Sequence, residues 1–332
     1  MPRHLFISFS LFFFALAGYG QDYHVSRYED VPLYHNPALT GSFPGVHQAR
    51  DADYRIAVNG RSQWQALGVD PYRSAYVAYD QPFKERFGIG GYLIDNHAGS
   101  NAFNVIQGKL SGSYHITERG SPHFLKTGLG LGIFHTSFDP GAFSYENEYA
   151  PSAGGFDNSL STGENFQRRS RLGFDAELGV YYAYREKKTY QPFIGISTFH
   201  IPRPKESLLG KGGRVPLRWV GMLGSGIKVD EKLRLRPGIL YMKQRAGQEL
   251  HFRSDLRYKL GGAYSILFGA GYRLKDALVL GLGIQQKRNT LRFSYDINTS
   301  SLQHYTGGAG AWEIALVLRG KKGEPLFHPK FL

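Results

Sequence analysis

The sequence has no cysteine among its 332 residues. A disulfide-stapled scaffold, a thiolate metal site and a lipoprotein anchored through an N-terminal cysteine are thereby excluded. Long apolar runs are missing too. Past the N-terminus no stretch approaches the roughly 18 apolar residues of a membrane-crossing helix, and mean hydropathy is −0.34, so a helical membrane protein is excluded. The 12 His residues include neither an HExxH pair nor another metal-ligand spacing. Gly-rich segments such as Gly128, Gly130 and Gly132 lie inside strand-like stretches, whereas a phosphate loop joins a strand to a helix; they read as close-packing strand glycines. No catalytic, cofactor-binding or metal-binding residue is therefore assigned. A hydrolase with Ser, His and Asp on separate strands would be recognised only by geometry, and no spacing here supports one.

Acidic residues are in deficit, 27 against 40 Lys and Arg, which leaves a formal net charge of +13. What is plentiful is glycine and ring side chains: 42 Gly, 3 Trp, 22 Tyr and 23 Phe. That combination favours strands and tight turns. Residues 1–20 read as a secretory signal peptide: Arg3 and His4, the apolar run Leu5 to Leu16, then the small residues Ala17, Gly18 and Gly20. Cleavage is expected before Gln21, and the apolar run is shorter than a bilayer crossing. Removing Arg3 lowers the charge by one, from +13 to +12, so the basic balance belongs to the exported chain. A polyanionic partner fits such a balance, but nucleic acid is not expected outside the cytoplasm.

From Tyr54 onward the chain alternates with period two. Tyr54, Ile56 and Val58 share one face, Arg55, Asn59, Arg61 and Gln63 the other, and the segment ends at Trp64. The same alternation marks Ile106 to Ile116, Leu172 to Tyr184, Leu250 to Leu260 and Leu291 to Asn298. Further strands are expected at Ala75 to Asp80, Phe87 to Asp95, Leu125 to His135, Tyr190 to His200, Val215 to Lys228, Leu233 to Met242, Tyr264 to Tyr272, Leu278 to Gln286 and Trp312 to Arg319. Many run to about ten residues, the length of a tilted strand crossing a membrane and longer than the usual strand of a soluble sandwich. The expectation is an all-β, antiparallel, up-and-down transmembrane β-barrel of outer-membrane type with about 14 strands, occupying residues 52–319, with outer-membrane lipid around it.

Loop lengths agree with that topology. The long connections 138–169, 201–213 and 299–308 fall on odd positions, as outer loops should, and the even ones are tight. Both termini then lie in the periplasm: residues 21–51 before the barrel and a basic tail, 320–332, after it. Residues 150–165 combine Gly, Ser and Asn with few branched apolar residues, so disorder in that outer loop is compatible with its composition. Arg55, Arg61, Lys109, Arg218, Arg234, Arg236, Arg253, Arg257 and Arg292 share the inner face with Asp80, Asp175, Glu177, Asp255 and Asp296. Mixed signs lining a narrow lumen favour ion pairing over an anion path. Trp64, Trp219 and Trp312 near strand ends fit an interfacial girdle.

Several motifs are demanded by no barrel physics. Asp22 to Tyr28 followed by Pro32-Leu-Tyr-His-Asn-Pro-Ala-Leu-Thr-Gly41 resembles the opening of the PorP/SprF family of type IX secretion outer-membrane proteins, with its Asn-Pro-Ala-x-x-Gly motif on Asn36, Pro37, Ala38 and Gly41. Arg61-Ser-Gln63-Trp64, Tyr79-Asp80-Gln81-Pro82 and Gly88 to Gly99, with Asp95 and Gly99, are similar to family landmarks in the family's order. Val25, His97 and His328 depart from the pattern, the last standing where the family ending has cysteine. The resemblance implies a non-enzymatic component without cofactor, in the outer membrane of a Gram-negative bacterium. It would support export or surface attachment of a secreted adhesin with a C-terminal sorting domain, contacting the type IX translocon or periplasmic machine components. Loops 138–169 and 201–213 would engage cargo, and residues 21–50 and the tail would lie at or below the periplasmic face. The Asn36-Pro37 step stands between a plain turn initiator and a partner contact. A passive porin or solute uptake channel is the alternative, and a soluble β protein such as a lectin is disfavoured by strand length.

Overall fold

The computed structural model describes residues 22–43, 52–68, 70–99, 102–118, 120–157, 159–163, 169–187, 189–205 and 213–324. The signal segment 1–20 and the tail motif 325–332 lie outside the described residues.

The chain forms strands β1 (Tyr54–Gln63), β2 (Tyr72–Phe83), β3 (Phe87–Ala98), β4 (Phe103–His115) and β5 (His123–Phe138). A small hairpin of β6 (Tyr149–Ala150) and β7 (Gly155–Phe156) follows. Then come β8 (Ser170–Tyr184), β9 (Tyr190–Phe199), β10 (Arg218–Lys228), β11 (Leu233–Gln244) and β12 (Gly247–Gly261). Strands β13 (Tyr264–Arg273), β14 (Ala277–Gln286), β15 (Asn289–Asn298) and β16 (Ala309–Gly320) complete the series. All except β6 and β7 join one closed antiparallel barrel, each strand paired with its neighbours in sequence and β1 paired with β16. Closure removes the exposed sheet edge. The fourteen segments of period-two sequence correspond one to one with the fourteen barrel strands. Strand ends moved: β2 begins at Tyr72 and not Ala75, because ladder pairing carries it past the reach of the hydrophobic alternation, and β10 begins at Arg218 and not Val215, because its pairing with β9 and β11 starts only there.

The two faces divide by chemistry. Outward positions such as Leu93, Leu110, Leu131, Ile196, Leu223, Phe252, Phe268, Leu282 and Phe293 are exposed. So continuous an apolar belt has no place on a soluble protein, and with it a soluble lectin is set aside. Trp64, Trp219 and Trp312 are exposed at the barrel end that carries the long loops. Tyr54 stacks on Tyr79 near the other end, where Tyr54 pairs with Gly320 and both chain ends meet the barrel.

The long loop after β5 is built largely from local turns. Asp139 accepts from the Gly141 amide, the Glu148 carboxylate accepts from the Tyr145 amide at 2.9 Å around one 3₁₀ turn, and β6 pairs with β7. The composition that allowed disorder therefore coexists, in residues 139–157, with ordered turns.

Candidate functional site

Residues 22–43, expected at or below the periplasmic mouth, run instead through the barrel lumen. The correction has a clear physical cause: the inner wall is so rich in charge that it needs partners, and this segment supplies them. Arg27 bonds Asp255 at 2.6 Å, Asp30 pairs with Arg292, and Glu29 pairs with Arg253. The Ser26 hydroxyl donates to Asp296 at 2.6 Å and its amide to Glu313 at 2.7 Å. Arg61, which bonds Asp296 at 2.9 Å, also touches Ser26. Buried charges are tolerated only when paired in this way. Within the wall, Lys109 reaches Asp175 at 2.7 Å and Glu177 at 2.9 Å.

The glycines of β5 make that last triad possible. Gly132 lies between Lys109 on β4 and Asp175 on β8 in the strand register. With no side chain at 132, the ammonium group crosses above the intervening strand. A Cβ there would stand 2.0 Å from the Gly108 carbonyl oxygen.

Local sequence explains the course of the plug. Pro32 and Pro37 each occupy the first position of a short helical turn, Pro32–His35 and Pro37–Leu39, where the missing N–H costs nothing. Asn36, before a proline, is held extended at φ −161° and ψ 114°. Its side-chain oxygen caps the next turn by accepting from the Ala38 amide at 2.9 Å. Its NH₂ group donates to the Val180 carbonyl of β8 at 3.0 Å and the Ile196 carbonyl of β9 at 3.4 Å. Pro37 and Ala38 lie against β5, where a Cβ on Gly128 would come 2.3 Å from the Ala38 nitrogen.

Gly41 closes the motif for two reasons. Its φ of +65° favours glycine, and an added Cβ would meet the Gln81 carbonyl oxygen at 2.7 Å and Gly88 Cα at 2.8 Å. The Gly41 amide donates to Asp80 at 2.6 Å. Asp80 in turn receives Arg55 bidentately, 2.8 Å at each oxygen, across a directly opposed β1–β2 pair. The motif residues Asn36, Pro37, Ala38, Gly41, Asp80 and Gln81 thus belong to one arrangement, the seating of the plug.

The remaining candidates sit apart from it. Tyr79 points outward and bonds the side chain of Gln81, whose backbone alone meets the plug, at 2.9 Å, and Pro82 pairs with Gly88 near the same mouth. Gln63 accepts from Arg61 at 3.2 Å, and Trp64 takes a left-handed turn against Tyr72 at the loop end. Asp95 meets His97 at 2.8 Å on the outer face, and Gly99 turns with φ +67°. Asn36, Pro37 and Ala38 are buried in the lumen, so the partner contact offered for them gives way to a structural role: they cap and wedge the plug.

Sequence reasoning missed the other end of the plug. His200 Nε2 lies 2.7 Å from Asp22 and its Nδ1 2.8 Å from Asp175, while Arg218 lies 3.2 Å from Asp22 and donates to the Tyr34 carbonyl at 2.9 Å. Burial alone would raise the Asp22 pKa, but His200 and Arg218 hold it well below the usual carboxylate range. Burial, with Arg218 nearby, pushes the His35 imidazole down to about 3, so it is neutral. Both His200 nitrogens face carboxylates, which leaves no hydroxyl nucleophile on that ring. Among the described residues no group of three or more His, Asp or Glu side chains is placed to hold a metal ion.

Similar barrels are known. The chain aligns with the toluene transporter TbuX of Ralstonia pickettii at 10% identity and TM-score 0.49, covering 87% of this chain and 92% of that one. It aligns with the monoaromatic hydrocarbon channel CymD at 12% identity and TM-score 0.47, covering 87% and 91%, and with the porin KdgM at 8% identity and TM-score 0.37, covering 79% and 97%. The fold itself rests on this chain's own strand pairing. No curated protein is matched. Residues 17–318 match the model of the type IX secretion system membrane protein family PorP/SprF, and the chain, an outer-membrane β-barrel, belongs to that family.

Proposed function

We propose that the chain is a non-enzymatic outer-membrane component of the type IX secretion system, supporting export or surface anchoring of a secreted protein with a C-terminal sorting domain. The observation that carries this over a passive porin or uptake channel is the filled lumen: residues 22–43 occupy the path a solute would take, with Tyr34, Leu33 and Asn36 fully buried. A barrel closed by its own chain suits an anchor. In this proposal both termini lie in the periplasm with the plug entering from that side. The long loops, chiefly 138–169 and 201–213, face outward toward cargo, and translocon or periplasmic machine components meet the opposite end. Segregation of the long connections to one end supports that orientation.

The test is a pull-down of an epitope-tagged copy from native outer membranes in mild detergent, with partners identified by mass spectrometry. Recovery of translocon components or of a surface protein with a sorting domain supports the proposal. Recovery of the barrel alone after gentle crosslinking, together with solute conductance of the intact chain in planar bilayers, would replace it with the channel.

A further inference from the structure

Between the plug and the wall, at the barrel end where β1 begins and β16 ends, lies a solvent-open vestibule of about 170 Å³. Arg185, Arg234, Arg236, Arg257 and Arg319 line it. None of the five forms an ion pair with a described residue. The carboxylates that also line the space are engaged elsewhere: Glu29 by Arg253, Asp30 by Arg27 and Arg292, and Asp255 by Arg27 and Arg253. Apart from these five arginines, nearly every charge described inside the barrel is matched, so the surplus guanidinium groups concentrate at one mouth.

We propose that this vestibule is a binding site for a carboxylate-rich peptide segment of a protein on that side of the membrane. The inference rests on the secretion reading for the existence of such a partner. Guanidinium groups present fixed forks of N–H donors that match carboxylates. Phe193, Leu267 and Val317 add apolar wall between the arginines, which suits a peptide with mixed side chains. All five arginines occupy inward positions, and the vestibule opens along the lumen, so a lipid headgroup in the surrounding bilayer does not face it.

The test uses the full-length protein in nanodiscs and a fluorescein-labelled peptide of alternating Glu and Gly, followed by fluorescence anisotropy. Saturable binding is expected, weakened by salt and absent for the Gln-Gly analogue. Arg234→Gln with Arg236→Gln and Arg257→Gln should weaken it roughly tenfold to a hundredfold, since three partly exposed charge pairs are lost together. An unshifted heat-modifiability band shows that the barrel is intact. Should the triple variant shift that band, Arg319→Gln alone must still weaken binding. Equal binding of the Gln analogue, unaltered binding by the folded variants, or binding of tripolyphosphate without the peptide would each overturn the inference. Because the assay contains no secretion machinery, its failure leaves the secretion proposal standing, and a failed pull-down leaves the peptide result standing.

Discussion

Gly128 offers a graded way to unseat the plug. Its missing Cβ would lie 2.3 Å from both the Ala38 nitrogen and the Pro37 carbonyl carbon, and 2.4 Å from the Pro37 oxygen. Ordinary contact begins near 3.4 Å, so Gly128→Ala demands a displacement of about 1 Å. Strand β5 cannot supply it. Its backbone is laddered on both sides, with Gly128 opposite Ser113 on β4 and Gly179 on β8 and the pairing unbroken through Thr127 and Leu129. The turn Pro37–Leu39 must move, which stretches the Asn36 bonds to Val180 and Ile196 that already stand at 3.0 and 3.4 Å. Overpacking costs about 1–3 kcal/mol, and each strained hydrogen bond about 0.5–1.5 kcal/mol. The sum, about 2–6 kcal/mol, acts on seating of the plug and not on closure of the barrel. Gly221→Ala is the control, since a Cβ there meets nothing within 4 Å. In planar bilayers Gly128→Ala should show opening bursts, with Gly128→Val showing more, while wild type and Gly221→Ala stay quiet. Identical traces for Gly128→Val and Gly221→Ala, with both barrels folded, would refute the reasoning.

Other outcomes follow from the same geometry. Asp80→Ala leaves the Arg55 guanidinium, 3% exposed, without its carboxylate and the Gly41 amide without its acceptor. Loss of about 3–5 kcal/mol is expected, seen as a lower heat-modifiability midpoint, and an unchanged midpoint would show that Arg55 finds another partner. Burial disfavours the His200 imidazolium, but Asp22 and Asp175 outweigh it and raise its pKa above 6.5. A raised histidine stabilises fully below pH 6.5 and loses its contribution as pH rises through the raised value. Plug opening in bilayers should therefore increase toward alkaline pH, and His200→Gln should abolish that dependence; a wild-type profile flat across neutral and alkaline pH would count against it. Deleting residues 143–160 should abolish cargo retention while the barrel still folds, and normal surface display would remove that loop from the proposal.

The barrel was legible because a strand buried on one side only repeats every two residues. Arg55, Asn59 and Arg61 against Ile56 and Val58 already separate lumen from lipid. The plug was not legible for the converse reason: residues 22–43 carry turns fixed by Asn36, Pro37 and Gly41, and such turns have no period. Register hid the rest. Arg55 opposite Asp80 is readable once β1 and β2 are aligned, whereas Lys109 meeting Asp175 requires knowing that Gly132 stands between them. The glycines of β5 looked like close-packing residues, and they are, but what they admit is a charge bridge and the Pro37–Ala38 backbone. His200 gave no signal, since its two aspartates lie 25 and 178 residues away in sequence.

The central claim, a plugged barrel serving secretion, is tested most directly by comparing surface and released proteins, by mass spectrometry, between cells lacking this chain and cells complemented with it. The expected result is selective loss from the surface of one or a few proteins bearing C-terminal sorting domains, restored by the intact chain. An unchanged surface proteome accompanied by reduced uptake of a solute would contradict it.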